Sequence, residues 1–237
     1  MKTIKNNENQ EIFNKLIENI NNISLENKKN IKLIIRFQSL WRKYNIKKKL
    51  SEMNDNMSFT ILLQCLQNYN NNLLFNKNLN NLLSKKKIRN ENFPSHISEN
   101  IAKFAIYKKY KVMPCWDTNV GDIEINKLNI KKKIEIKGFM SDGPSSFGPT
   151  ENWDWLYFVD AKDTLNLNFK IYEIKLSNKD KIFREIKLNK KETYGEISEK
   201  NQRGKLRGCF ETIFKSQLKN YCCLIFDGNI LELNDFF

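Results

Sequence analysis

Two short predicted strands carry charged residues that together could hold a divalent metal ion and act on a phosphate. The segment GDIEINKLNIKKKIEIKGF, residues 121–139, reads as a strand pair with Asp122 on its first strand and with Glu135 and Lys137 on its second. Residues i and i+2 of a strand point to the same face, so Glu135 and Lys137 project together. Asp122 can lie opposite Glu135, and the Ile136 carbonyl is a further candidate metal ligand.

This combination of residues suits metal-dependent hydrolysis of a phosphodiester bond. Carboxylates hold Mg²⁺, and the metal lowers the pKa of a bound water and neutralises the charge that develops on the phosphate. A neighbouring lysine can orient the water or stabilise the transition state. The expected cofactor is therefore Mg²⁺.

The Glu-Ile-Lys tripeptide occurs three times, so its spacing alone does not identify the site. Asp160 and Glu173 repeat the separation of 13 positions between Asp122 and Glu135, and a third copy lies at residues 185–187. Context favours the first copy, because a long Gly/Pro/Ser-rich loop, MSDGPSSFGPTENWD, follows it, and such loops are commonly functional. The third copy lacks a suitable strand pair. Glu and Lys alternating on an ordinary exposed strand face remains the alternative for each copy.

The elements that must position these residues form an α/β (α+β) pattern. Residues 1–94 read as a helical amino-terminal region, and residues 95–237 as a catalytic domain with a basic, polar segment at about 177–208. Residues 95–111 predict a helix that carries Glu99 at the border of its apolar face, from where it can reach the edge of a sheet. Strand patterns follow, then a helix at 209–221, and Asp227-Gly228 predicts a closing hairpin turn. A mixed sheet flanked by helices is expected.

The composition favours a polyanionic partner. The chain has 237 residues and a formal net charge of +14, which suits nucleic acid, although an AT-rich genome would also enrich lysine and asparagine. Five cysteines without a CxxC pair and a single histidine, His96, disfavour a structural zinc site and a histidine-based HNH nuclease. The sequence contains neither a signal-peptide pattern nor an apolar run long enough for a membrane span, so we expect a soluble, intracellular protein.

Two segments are candidates for DNA contact. The stretch LNKKETYGEISEKNQRGKLRG is basic, and arginine can read guanine while lysine suits phosphate. Tyr194 in the same stretch could stack on a base or contact a sugar. The loop after the first Glu-Ile-Lys is the second segment. The candidate contact residues are Lys190, Lys191, Arg203, Lys205, Arg207, Ser145 and Ser146.

The pattern GDIEI…IEIKGF resembles the core of PD-(D/E)xK nucleases, in which a helix and a strand precede an Asp strand and a Glu-x-Lys strand. Val120-Gly121 stands where that pattern has its proline. The segment IEIKGFMSDGPSSFGPTENWDWLYFVDA further resembles type II restriction endonucleases. The resemblance covers residues 95–225 and implies a restriction-endonuclease-like fold, Mg²⁺-dependent cleavage of double-stranded DNA at a short sequence, and a homodimer. It also implies that Asp122 and Glu135 are metal ligands, that Lys137 is the catalytic lysine and that Glu99 is an additional acidic residue.

Two other functions fit the same residues. One is a structure-directed repair or junction nuclease of the same fold, which a preference for branched DNA would distinguish. The other is a non-catalytic nucleic-acid-binding protein, which would cut no DNA in the presence of Mg²⁺. The stretch RFQSLWRKYNIKKK also resembles an IQ motif, but a basic helix that contacts DNA or the core is favoured over a calmodulin-type partner.

Overall fold

The structure, a computed structural model, describes residues 59–82, 88, 92–112, 114–116, 122–127, 130–142, 144–148, 151–200 and 207–234. They belong to a compact unit that comprises residues 55–237. The helices expected before residue 59 and the IQ-like stretch lie outside the described residues. None of the described helices is both long enough and apolar enough to cross a membrane.

The described strands form a mixed sheet of six strands and a small sheet of two. The strands are β1 Cys115–Trp116, β2 Ile123–Lys127, β3 Ile130–Phe139, β4 Pro144–Ser146, β5 Trp155–Asp160, β6 Asn168–Ile174, β7 Arg207–Cys209 and β8 Cys222–Asn229. The large sheet has the order β1-β2-β3-β5-β6-β8, and neighbouring strands are antiparallel except for the parallel pair β3 and β5. In the small sheet β4 pairs antiparallel with β7.

Helix α2, Ser95–Tyr110, covers one face of the large sheet. Its apolar positions recur at helical spacing, and Ile97, Ile101 and Phe104 are buried. The helix lies very close to β3 at Gly138, where an added Cβ would stand 2.6 Å from the Cβ of Ser98. Glycine is therefore required at this position for the helix to reach the strand.

Helix α1, Phe59–Leu82, packs on α2 and on the turn that follows β5. The rings of Phe59 and Phe104 meet edge to face with centroids 5.2 Å apart. Asn70 and Thr164, both buried, satisfy each other, because Asn70 Nδ2 donates to the Thr164 carbonyl at 2.6 Å and Thr164 Oγ1 donates to Asn70 Oδ1 at 3.0 Å. These contacts anchor α1 to the unit that contains the sheet.

The opposite face of the sheet carries a core rich in aromatic side chains, which we call the aromatic cluster. Phe139 from β3 and Phe158 from β5 contribute to it, together with Phe147, Trp153 and residues from the later segments. Those segments are the short helices α3, Lys181–Arg184, and α4, Tyr194–Glu199, and the π-helix Phe210–Lys215. The expected mixed sheet flanked by helices, of the restriction-endonuclease-like class, is therefore confirmed.

Two local expectations are wrong. Asp227-Gly228 does not form a turn: β8 runs through both residues, with Asp227 opposite Lys170 and joined to it by a 2.9 Å ion pair. The chain then turns into a 3₁₀ helix, Ile230–Leu233, whose first turn is capped by Asn229. Tyr194 is not available to stack on a base, because its side chain is 1% exposed within the aromatic cluster.

Candidate active site

At Ile134, strand β3 stops pairing with β2 and starts pairing with β5. Its first half, up to Ile134, pairs with β2, and its second half, from Ile134 to Phe139, pairs with β5. Among the residues that the structure describes, no strand pairs with the β2-facing edge of β3 beyond Ile134. The Glu-Ile-Lys tripeptide of β3 begins at the next residue, so it lies where this edge opens.

Asp122 bonds to this edge of β3 through its backbone and its side chain. It precedes β2, donates its N–H to the Ile134 carbonyl at 3.0 Å, and accepts the Ile136 N–H on Oδ2 at 2.7 Å. Continuing the register of the strand pair places Asp122 opposite Glu135. The N–H and C=O of one strand residue point to the same side, so the Ile136 carbonyl also faces Asp122.

Glu135 and Lys137 project from β3 into the face of the sheet that carries the aromatic cluster. Glu135 is buried, at 4% exposure, and Lys137 Nζ makes an ion pair with its Oε1. Lys137 Nζ also lies 5.3 Å from the centroid of the Phe147 ring. The predicted same-face pair is thus present, and it is partly shielded from solvent.

The second Glu-Ile-Lys tripeptide points to the other face, towards α2. Glu173 is 1% exposed and accepts hydrogen bonds from the hydroxyls of Tyr110 and Tyr157. Lys109 and Lys175 pair with the same carboxylate at 2.8 and 3.6 Å. Every partner is a donor, so the Glu173 carboxylate ties β6 to β5 and to α2.

Asp160 does not complete a second site. It lies opposite Lys170, whereas Glu173 lies opposite Tyr157, which is three positions earlier in β5 than Asp160. The separation of 13 positions that this pair shares with the first set therefore does not place the two carboxylates opposite each other. In the third tripeptide, Glu185 and Lys187 are exposed.

Burial raises the pKa of three carboxyl groups around the first tripeptide, those of Glu135, Glu99 and Asp122. The pKa of Glu135 is raised to about 7, by burial first and then by the charge of Asp122, against the lowering effect of Lys137. Burial and then the charge of Asp122 raise the pKa of Glu99, on α2, to about 7 as well. The pKa of Asp122 is also raised by burial, although its bond from the Ile136 N–H opposes the shift. The three acidic groups thus interact electrostatically in a poorly solvated site, and such a site favours a bound cation.

These raised pKa values predict how the metal-free protein responds to pH. Glu99 has a pKa of about 7 in the folded chain against 4.5 for a solvated glutamate. The folded state therefore holds the proton more strongly, and the free energy of unfolding should fall as pH rises from about 4.5 to about 7. Glu99→Gln removes this loss. The free energy of unfolding of the variant minus that of wild type should therefore be about 1–3 kcal/mol larger at pH 8 than at pH 5.

Denaturant titrations at pH 5 and pH 8 in a chelator measure this gain. Glu185→Gln, which removes an exposed carboxylate, is the matched control and should show no gain between the two pH values. An equal difference between Glu99→Gln and wild type at both pH values would contradict the raised pKa of Glu99.

The donor types at this edge fit a hard divalent cation. Asp122 and Glu135 supply carboxylate oxygens, and the Ile136 carbonyl faces the same edge. Within the described residues, no group of three or more His, Cys, Asp or Glu side chains is arranged to hold a metal ion. Glu99 is therefore an acidic neighbour of the two carboxylates rather than part of an assembled set of three.

Sequence reasoning missed Glu151. Burial lowers the pKa of Lys137, but the neighbouring carboxylates raise it by more. Among these charges Glu135 has the largest effect, Glu151 the second largest and Asp122 a smaller one. Glu151 also acts on Asp122 and Glu135. A signal was present, because Glu151 belongs to the Gly/Pro/Ser-rich loop that the sequence singles out.

The two candidate DNA-contact segments meet in one element. Ser146 of β4 pairs with Arg207 of β7, and Ser145 pairs with Gly208, so a two-stranded ribbon joins residues from both segments. Lys190 and Lys191 lie elsewhere, on an exposed turn closed by the Lys187–Thr193 bridge. Arg203 and Lys205 lie outside the described residues.

Comparison with known proteins places this arrangement in a family. No curated protein and no solved structure gives a significant match to the chain. A family model described as Bsp6I restriction endonuclease matches residues 55–213, a range that includes Glu99, Asp122, Glu135 and Lys137. This match spans more than half of the chain, and the protein therefore belongs to the Bsp6I restriction endonuclease family.

Proposed function

We propose that this protein is a Mg²⁺-dependent endonuclease that cuts double-stranded DNA at a specific short sequence, with Asp122, Glu135 and Lys137 as its catalytic residues. Membership of a restriction endonuclease family makes it a nuclease, a hydrolase whose partner is double-stranded DNA. The metal, the sequence specificity, the residue roles and a kinship with PD-(D/E)xK nucleases are the proposal.

One observation carries the assignment of the catalytic residues. Asp122, Glu135 and Lys137 come together at the edge of β3 that β2 leaves open, whereas the second tripeptide faces α2 with its Glu173 carboxylate already surrounded by donors. A phosphate would approach the carboxylates from this edge. A carboxylate enclosed by two tyrosines and two lysines has a structural role.

Each residue has a role that follows from its position. Mg²⁺ would lower the pKa of a water molecule and neutralise charge on the phosphate. Asp122 and Glu135 would hold the ion, with the Ile136 carbonyl as a neutral ligand. Lys137 is a donor beside Glu135, from where its ammonium can orient the attacking water or contact a phosphate oxygen. Glu99 adds negative charge near Asp122 and so strengthens cation binding.

The ribbon of β4 and β7 is our candidate for reading DNA bases. A two-stranded ribbon fits the major groove, where arginine can bond guanine through two donors. The ribbon begins five residues after Phe139, the last residue of the catalytic strand, and it is followed by Phe147, whose ring lies against Lys137. A base contact made by the ribbon is therefore close to the proposed catalytic lysine.

Removing a base contact should change discrimination, and removing a phosphate contact should not. Arg207→Ala should cost about 1–3 kcal/mol of discrimination between cognate and scrambled duplexes if Arg207 reads a base. Lys190→Ala should weaken binding to both duplexes alike, because a phosphate contact carries no sequence information. Fluorescence anisotropy with Ca²⁺ in place of Mg²⁺ measures both affinities.

An unchanged affinity ratio in Arg207→Ala would move base reading away from this residue. Ser145→Ala and Ser146→Ala then test the other strand of the ribbon. Arg203→Ala and Lys205→Ala cover the rest of the predicted segment.

The deciding experiment is digestion of a plasmid of known sequence with Mg²⁺, followed by sequencing of the ends. Ends at one short sequence support the proposal, and their offset gives the stagger of the cut. Cleavage confined to branched DNA would indicate a structure-directed nuclease. If no DNA is cut with Mg²⁺ or Mn²⁺, the non-catalytic function is correct.

We further infer that the active form is a homodimer, because one such centre cuts one strand and a duplex has two. Size-exclusion chromatography with light scattering, with and without a cognate duplex, measures the mass. A monomer on DNA that still makes double-strand breaks would contradict this inference.

A further inference from the structure

The ribbon of β4 and β7 is not a hairpin, because its two strands lie far apart in the chain. They share three residue pairs, from Pro144 opposite Cys209 to Ser146 opposite Arg207. Two paired strands are marginally stable at best in water without further packing. The position of this ribbon is therefore set by the residues that flank it.

Asp142 supplies a bond at one end of the ribbon. It lies two residues before β4, and continuing the register of the ribbon places it opposite Glu211, two residues after β7. There the chain has left β7 and entered the π-helix Phe210–Lys215, and the first N–H groups of a helix lack a partner within it. Asp142 Oδ1 accepts the Glu211 N–H at 2.8 Å. The side chain thus joins the two chain segments beyond the last residue pair.

The same end of the ribbon is packed on the catalytic strand. Phe139 is the last residue of β3, and its ring lies against that of Phe210 with centroids 5.3 Å apart. Phe210, which follows β7, is 1% exposed and also packs on Phe158 of β5 at 4.6 Å. Lys137 lies two residues before Phe139. The residue that follows β7 is thus fixed against the strand that carries the proposed catalytic lysine.

The side chain of Glu211 extends this connection to the end of β5. Its carboxylate pairs with Lys215 at 3.0 Å and with Lys162 at 3.9 Å. Lys162 follows β5, pairs with Asp160 at 3.4 Å and has its Nζ 5.2 Å from the centroid of the Phe139 ring. Glu211 is therefore held through its backbone by the segment after β3 and through its carboxylate by the turn after β5.

We propose that Asp142 is a positioning residue that fixes the ribbon to the end of β3 and thereby makes rapid cleavage depend on the cognate sequence. The inference rests on the proposed function, in which the ribbon contacts bases and β3 carries the catalytic centre. Base contacts place the scissile phosphate at the centre only if the ribbon and β3 keep a fixed separation. A small misplacement can lower a rate by about 100-fold. DNA of another sequence does not make those contacts, so its slow cleavage does not depend on the separation.

Asp142→Ala tests the proposal, because it removes the acceptor of the Glu211 N–H. A plasmid of known sequence is digested with Mg²⁺, and sequencing gives the ratio of ends at the main site to ends at sites that differ from it by one base pair. This ratio should fall about 10-fold, through a slower single-turnover rate at the main site. The affinity for a scrambled duplex, with Ca²⁺ in place of Mg²⁺, should stay near that of wild type. Asp142→Asn keeps an acceptor oxygen and should restore most of the ratio.

Asp180 provides a matched control outside the ribbon. Its Oδ2 accepts the Ser177 N–H at 2.6 Å, in the exposed turn before α3. Asp180→Ala therefore removes the same charge and the same kind of bond, and it should keep the wild-type ratio. An unchanged ratio in Asp142→Ala, or an equal fall in Asp180→Ala, overturns the proposal. An equal loss in Asp142→Asn and Asp142→Ala would show that the charge matters rather than the bond, and it also overturns the positioning role.

Hydrogen exchange without DNA or metal tests the bond itself. In Asp142→Ala, mass spectrometry should show about 5–10-fold faster exchange in segment 207–214, the effect of losing one hydrogen bond to a charged group. Exchange in segment 168–174, which contains β6, should stay as in wild type, and Asp142→Asn should be close to wild type in both segments. Unchanged exchange at 207–214, or equally faster exchange in both segments, would overturn the proposal.

The outcomes separate this inference from the proposed function. Faster exchange at 207–214 with an unchanged cleavage ratio, while Glu135→Gln is inactive, overturns the inference alone. Wild-type cleavage by Glu135→Gln and Lys137→Ala overturns the proposed centre. If the wild-type protein cuts no DNA, the proposed function and the specificity role both fail, and the exchange rates still decide whether Asp142 fixes the ribbon.

Discussion

Lys137→Ala should lower the single-turnover cleavage rate by about 10²–10³-fold, the effect of removing one well-placed charged donor from a reaction centre. The ammonium of Lys137 is in contact with Glu135 and lies on the face of β3 that Asp122 borders. Lys137→Arg should also be slow, because a planar guanidinium does not fit a site built for a compact ammonium. Plasmid cleavage with Mg²⁺ and enzyme in excess measures the rate.

The second tripeptide provides a control with the same local sequence. Lys175 Nζ pairs with Glu173 and lies 4.9 Å from the centroid of the Trp155 ring, on the face of the sheet towards α2. Lys175→Ala should therefore cleave at a rate close to wild type. A wild-type rate for Lys137→Ala, or an equal loss in both variants, would contradict the assignment of the centre to β3.

Glu135→Gln should abolish detectable cleavage while DNA binding survives. The amide is a poor ligand for Mg²⁺, so the centre loses one of its two proposed carboxylate ligands. The site also becomes less negative, which favours the approach of a phosphate. In the metal-free protein the change removes a buried acid whose pKa is raised to about 7, so the variant should remain folded. Cleavage and a binding assay in Ca²⁺ are measured on the same preparation.

Glu173→Gln should have the opposite profile. It leaves Lys109 and two tyrosine hydroxyls without their buried carboxylate, and breaking such a network should cost about 2–4 kcal/mol of stability. The fraction that remains folded should still cleave. Loss of cleavage in a well-folded Glu173→Gln, with full activity in Glu135→Gln, would move the centre to the second tripeptide.

The local part of the site could be predicted from the sequence. The two-residue period of a strand puts Glu135 and Lys137 on one face, and the length of the turn between the strands brings Asp122 opposite Glu135. Both rules involve neighbours in the chain. The position of Glu99 was also predictable, because helical spacing sets it at the border of the buried face of α2.

The parts that depend on distant packing could not be predicted. The face to which Glu173 points depends on Tyr157 and on Tyr110 from α2, which are remote in sequence. Asp227-Gly228 has a high turn propensity, but both residues pair with β6 instead, and Asp227 also makes an ion pair with Lys170. Glu151 lies on a loop whose position depends on Trp153 in the aromatic cluster and on the bond that Asn178 donates to the Glu151 backbone carbonyl.

Gly138 has a consequence for how relatives of this protein can diverge. A side chain at this position would meet Ser98 and Phe93, at 2.6 and 2.9 Å from the new Cβ. A larger residue can be accepted here only if the residue at position 98 becomes smaller or α2 moves outward, and an outward movement would carry Glu99 away from Asp122. Among family members that cleave DNA, positions 98 and 138 should therefore vary as a pair, so that their combined volume stays nearly constant.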